Sequence, residues 1–211
     1  MTPQQKRNEL LASKLIKNLE RRNFEAYYCH TAEEIIQQVK DLMPAGSSVT
    51  WGGSMSIRDI GLPQSLKASD YQVWDRDEAT TAEEKLAIYH KAFQADFYLA
   101  SANAISEDGV IVNIDGTGNR VAAITWGPRR VIFVVGLHKV CQDVGAALQR
   151  ARSTASPINS ARFDIDTPCH KDGRCHNCNS PQCICNYIHF LRNSYPSKRH
   201  VVILTDLVLG Y

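Results

Sequence analysis

Apolar residues recur at helical spacing from the start of the chain, where Leu10, Leu11, Leu15, Ile16 and Leu19 mark one face of an opening helix. A second helix is expected over TAEEIIQQVKDLM, with Thr31 as N-cap and Glu34 three residues on, and a Pro-Ala-Gly turn to end it. Beyond that turn the pattern shortens. SVTW reads as a buried strand, GGSMSIRDIGL as a glycine turn opening a helix, and Gln72 to Trp74 as another strand. A helix from about Thr81 to Phe93, boxed by Thr81 and Glu84, leads into the strand DFYLAS.

In AISEDGVIVNIDG a polar Glu-Asp-Gly separates two apolar runs, which predicts a hairpin turning at Asp108-Gly109. VIFVVG is apolar without interruption, as expected of a central strand covered on both faces. DVGAALQRAR predicts a helix and HVVILTDL a late strand. Strands alternating with helices imply an α/β domain with a mostly parallel sheet flanked by helices and one hairpin insertion. Residues 1–45 are expected to form a helical segment packed on that core, and residues 46–211 the main domain, with a cysteine-rich loop at 168–186 near the C-terminus.

At 211 residues the chain can bury one full-sized core, and no Gly/Ser-rich or Pro-rich linker divides it. Lys and Arg (24) barely exceed Asp and Glu (22), a net charge of +2, and the basic residues are scattered, so no nucleic-acid partner is expected. The opening segment interleaves basic and apolar residues, unlike a secretory signal, and no stretch is apolar enough to span a membrane. The expected location is the cytoplasm, where thiols stay reduced. The amphipathic first helix is a candidate contact between copies of the chain in a homo-oligomer.

Three polar constellations interrupt the apolar pattern. Trp51-Gly52-Gly53-Ser54-Met55-Ser56 lies between a strand and a helix, where glycines let backbone N–H groups approach an anion and the Ser54 and Ser56 hydroxyls add donors. The same residues also read as a tight turn with Ser54 as N-cap. Asn113 to Arg120 ends a strand with Gly116 and Gly118, followed by Asn119 and Arg120. Arg120 suits a carboxylate or phosphate, and Asp115 could position a proton acceptor; equally, Asn119 could cap the helix NRVAAI while Arg120 pairs with Asp115. In Ser106-Glu107-Asp108-Gly109, Glu107 is either a nucleophile or base, or a solvated turn residue.

Of seven cysteines, Cys169, Cys175, Cys178, Cys183 and Cys185 crowd into PCHKDGRCHNCNSPQCICN. Thiols so dense in a polar loop make poor core and good soft-metal ligands, and Cys175-His176-Asn177-Cys178 has the spacing with which two thiolates grip one metal. Four ligands satisfy zinc or a four-iron cluster. The preferred set is Cys169, Cys175, Cys178 and Cys185, with Cys183 surplus because it stands too near Cys185 to share the same geometry. Zinc, iron–sulfur and a reduced, metal-free loop are all open. Neither a flavin nor a nicotinamide motif is present.

The run ISEDGVIVNIDGTGNRVAAITWGPRRVIFVVG, followed by ASPINSARF, the cysteine loop and the terminal VVILTDLVLGY, resembles the LUD-domain family, which includes LutC-like lactate-utilisation proteins. The resemblance runs from about TWGGSMS to the C-terminus. It implies a NagB/RpiA/CoA-transferase-like fold, in which WGGSMS corresponds to an anion-binding turn and DGTGNR to the second wall of a cleft for a small anionic or phosphorylated metabolite. SEDG is similar to the Ser-Glu-Asn-Gly stretch in which some CoA transferases place a nucleophilic glutamate, which makes Glu107 a candidate, although Asp108 stands where the asparagine would be. The implied role is an accessory component of lactate or related organic-acid oxidation beside iron–sulfur oxidoreductase partners. The alternatives are an isomerase or CoA-transferase-type enzyme using Glu107 or Asp115, and a non-catalytic metal-stabilised scaffold or sensor.

Overall fold

The apolar runs resolve into two sheets in a computed structural model that describes residues 1–211. The strands are β1 (Glu25–Cys29), β2 (Ser48–Trp51), β3 (Gln72–Trp74), β4 (Phe97–Ala100), β5 (Ala104–Ser106), β6 (Ile111–Asp115), β7 (Arg130–Gly136), β8 (Val140–Cys141), β9 (Tyr187–Leu191) and β10 (His200–Thr205). The larger sheet is wholly parallel, in the order β1, β10, β7, β4, β2, β3. The smaller, mixed sheet runs β8, β5, β6, β9.

Period-two alternation explains why the large sheet is covered on both faces. From β7, Val131, Phe133 and Val135 point to one side, where α1 (Pro3–Arg21) lays Ala12, Leu15 and Leu19 over them. Ile132 and Val134 point to the other, against Ile35 and Val39 of α2 (Ala32–Leu42), Ile57 of α3 (Met55–Asp59), and Leu62 and Leu66 of α4 (Leu62–Lys67). β10 divides its residues the same way. VIFVVG is therefore central, as its unbroken apolarity predicts, and the mostly parallel α/β sheet flanked by helices is the observed fold.

The remaining helices are α5 (Ala82–Lys91), α6 (Asn119–Thr125), α7 (Val144–Arg150), α8 (Ser156–Ser160) and α9 (Pro168–Asp172). The Thr81–Glu84 capping box closes as expected, and the Thr31 hydroxyl accepts from the Glu34 amide at 3.2 Å. α7 continues into α8 through a widened turn at Ala151–Ala155. Pro157 has no N–H to give to the helix. There the ladder resets, with the Ser156 amide and hydroxyl both reaching the Ala151 carbonyl.

Three features depart from the sequence reading. Residues 1–45 hold a strand as well as helices, since β1 pairs along its length with β10. The apolar face of α1 covers the sheet with Leu15 and Leu19 fully buried, but Leu10, read as part of that face, stays exposed. The hairpin at Asp108-Gly109 forms as predicted, but β8 and β9 extend it to four strands. β9 is an edge strand that leaves Tyr187, Ile188 and Phe190 half exposed, so its sequence lacks a clean buried alternation.

Candidate functional site

The carboxyl ends of β2 and β4, the loop after β6 and the widened turn after α7 enclose a cleft of about 380 Å³. Ligands of open α/β sheets settle at such strand ends. Gly52, Gly53, Ser54, Ser56, Asp115, Gly116, Asn119 and Arg120 all line it, so the two glycine motifs face one another. Gly52 lies against the Arg120 stem, the contact that joins them.

Asp115 and Arg120 shape the wall. The Asp115 carboxylate accepts from the Thr117, Gly118 and Val121 amides at 3.2–3.3 Å and from Arg120 Nε at 3.4 Å. Arg120 also donates to Asn113 Oδ1 at 3.2 Å and to the Ile114 carbonyl. Both side chains are thus committed to their own loop. Gly118, not Asn119, occupies the N-cap position of α6, at φ 83°, a left-handed conformation that favours glycine. It packs against the Tyr187 ring and stands outside the cleft lining.

Glu107 is not brought into the cleft. Its carboxylate meets Lys14 Nζ at 2.6 Å, its carbonyl accepts from Asn18 Nδ2 at 2.8 Å, and Arg22 pairs with Asp108 beside it at 2.5 Å. The Glu-Asp tip clamps the hairpin to α1.

The cleft is rich in cations that the motifs did not reveal. Arg76 follows β3, Lys85 lies on α5, Lys139 follows β7 and Arg162 follows α8; Asp115 is the only acidic side chain among the lining residues. Arg76 donates to the Tyr89 hydroxyl at 2.7 Å and lies so close to Gly53 that a Cβ there would stand 2.6 Å from its Nη2. Arg162 donates to the Gly53 carbonyl at 3.2 Å and to Asn159 at 3.1 Å. Two buried polar atoms in this region have no hydrogen-bond partner, Ser54 Oγ and Arg76 Nε, the latter with Asp77 Oδ1 at 3.7 Å. Ser54 stands at the N-cap of α3 without capping it.

Lys139 is only 2% exposed. Its Nζ lies 3.0 Å from Ser56 Oγ and 3.3 Å from Ser101 Oγ, and Ser56 in turn bonds Ser101 at 3.0 Å and the Leu209 carbonyl at 3.1 Å. Burial brings the lysine down to about 7, Arg150 and Arg120 push the same way, and Asp59 opposes them. Lys139 and Ser101 each follow the carboxyl end of a core strand, the signal by which strand topology could have found them.

Cys169, Cys175, Cys178, Cys183 and Cys185 line a second pocket of about 80 Å³ next to the cleft. Ile114, Ser156 and Ile184 border both. The cysteine loop is tied down by Asn186 Nδ2, which donates to the Gly116 carbonyl at 2.9 Å, and by the contact of Arg152 with Asn177. Burial pushes the Cys185 thiol up to about 11; Ser156 opposes this, while Cys183 and Cys169 add to it. Soft donors round one pocket fit the chemistry of zinc or an iron–sulfur centre, although no three side chains converge closely enough to form a closed coordination shell.

Comparison with solved structures finds a DUF162 family protein from Deinococcus radiodurans at 12% identity and TM-score 0.55, covering 94% of this chain and 97% of that one. The eIF2B beta subunit from Chaetomium thermophilum (13% identity, TM-score 0.39) covers 54% of this chain and 44% of its own. The Pyrococcus horikoshii translation initiation factor eIF-2B (15%, 0.38) covers 54% and 49%, and at these scores neither bears on the fold. Comparison with curated proteins finds no match. No helix is long and apolar enough to cross a membrane. The LUD domain matches residues 12–205, from within α1 to the end of β10, and the chain belongs to the LUD-domain family that its motifs resemble.

Proposed function

We propose that this LUD-domain protein serves the utilisation of lactate or a related organic acid as an accessory component whose cleft binds a small anionic or phosphorylated metabolite. The observation that carries the reading is the pair of buried groups without a hydrogen bond, Ser54 Oγ and Arg76 Nε, at a cleft dominated by cations. Buried donors left without acceptors are costly unless a ligand supplies them. A carboxylate or phosphate oxygen would satisfy both, with the guanidinium of Arg162 as a further donor. The acyl-transfer alternative has less support, because Glu107 is engaged by Lys14 and the carboxylate of Asp115 is already shared among four donors.

Cys169, Cys175, Cys178 and Cys185 would hold a metal centre, with Cys183 as the spare. Zinc there would pin the loop, and an iron–sulfur cluster would supply one-electron transfer towards an iron–sulfur oxidoreductase partner. The loop's contact with Gly116 would let such a centre brace the cleft wall.

Titration calorimetry with pyruvate, lactate and inorganic phosphate tests the cleft. Arg76→Ala and Arg162→Ala should each weaken binding roughly tenfold, as loss of a charge-assisted hydrogen bond of about 1.5 kcal/mol predicts. Absence of binding by all three, or variants that bind as tightly as the parent, would overturn the reading. Anaerobic purification with iron, sulfide and zinc analysis tests the loop, and a colourless zinc protein would remove the electron-transfer role.

A further inference from the structure

Lys139 differs from the lysines that form ion pairs. Lys14, Lys67 and Lys171 each sit at the surface on a carboxylate, as lysines ordinarily do. Lys139 is buried at the cleft, forms no ion pair, and has only two hydroxyls within hydrogen-bond distance of its nitrogen. An ammonium carries three donors and no acceptor, so two neutral hydroxyls leave it short of a partner. A neutral amine fits better: its two N–H groups donate to Ser56 and Ser101, which leaves the lone pair free, and Ser56 gives its own proton to the Leu209 carbonyl.

We propose that Lys139 is a nucleophilic amine that forms an imine with a small aldehyde or ketone bearing a carboxylate or phosphate. The proposal rests on the anion-binding reading of the same cleft. Arg76 and Arg162 hold the anionic group, and the carbonyl carbon faces Lys139 Nζ. The nitrogen lone pair forms the C–N bond while the carbonyl π pair moves to oxygen, which takes a proton. The nitrogen loses a proton, the resulting carbinolamine expels its oxygen as water with a second proton, and the iminium left behind loses its remaining N–H proton. Amine plus carbonyl thus gives imine plus water, with no change of oxidation state. Ser101 and Ser56, in contact with the nitrogen and with each other, relay the protons. Desolvation beside other cations is the established way of making a lysine nucleophilic near neutral pH. The charged groups that act on this one are Arg150, Arg120 and Asp59, with His138 adjacent in the chain.

The test is reductive trapping of the full chain with cyanoborohydride and, in separate arms, pyruvate, glyoxylate and glyceraldehyde 3-phosphate, read by intact mass and peptide mapping. The expected result is a single adduct on Lys139, suppressed by inorganic phosphate, absent from Lys139→Met, and formed at a rate that levels off above about pH 8. Ordinary lysines, titrating near 10.4, should keep gaining about tenfold per unit there. The most reactive arm identifies the carboxylate or phosphate as the handle. Label on Lys85 or scattered over surface lysines overturns the proposal, and the wild-type map decides this even if Lys139→Met fails to fold. No label while calorimetry still records pyruvate or phosphate sinks the imine but leaves the anion site standing; loss of both sinks both.

Discussion

Asp115 gathers three backbone amides and one guanidinium, so replacing it with asparagine leaves donors competing for a single oxygen. Asp115→Asn should lower unfolding stability by about 2 kcal/mol in urea titration, the scale of lost hydrogen bonds to a charged group. Gly53→Ala acts differently. The new methyl would meet the flexible end of Arg76, so stability should hold while anion affinity falls severalfold by calorimetry. At this scale the sequence was legible for residues that neighbour one another along the chain. WGGSMS and DGTGNR announced the two walls through their glycines and hydroxyls. Arg76, Lys85, Lys139 and Arg162 did not stand out, because an isolated cation in a sequence looks the same whether it faces solvent or a cleft.

Among the elements, β7 has the clearest sequence signature and the deepest burial. Phe133→Ala, at a fully buried position shared with α1, should cost about 3–5 kcal/mol by denaturant unfolding. The hairpin tip predicts the opposite scale. Glu107→Gln removes a half-exposed pair with Lys14, so it should cost less than about 1 kcal/mol and leave pyruvate or phosphate binding unchanged, where a nucleophile in the cleft would not be so indifferent. The sequence reading recovered helices with caps and strands with unbroken apolar runs. It missed β1, β8 and β9, which lie at sheet edges and keep part of their surface wet, so their burial pattern is diluted.

Across the whole molecule, acid should destabilise the fold in a defined window. His200 is 2% exposed, and burial lowers it from an ordinary value of 6.5 to about 4. The Ile124 carbonyl, 3.0 Å from its Nε2, works against that shift, while the Arg199 guanidinium, with Nη1 2.8 Å from the same nitrogen, adds to it. Between those two values the unfolded chain takes up a proton that the folded chain refuses. Stability is therefore full above about pH 6.5 and declines as pH falls towards 4, by about 3 kcal/mol from this residue. A pH series of urea transitions should show that slope, and it should flatten in His200→Gln. The sequence by itself determined the α/β alternation, the central strand, the two glycine walls, the dense thiols and the family, because each is written in neighbouring residues. Only the tertiary structure decided that Glu107 faces α1, that Asp115 is fully engaged by its own loop, and that Lys139 lies buried between Ser56 and Ser101. Those outcomes depend on contacts between residues tens of positions apart, and local pattern carries no record of which distant side chain will arrive.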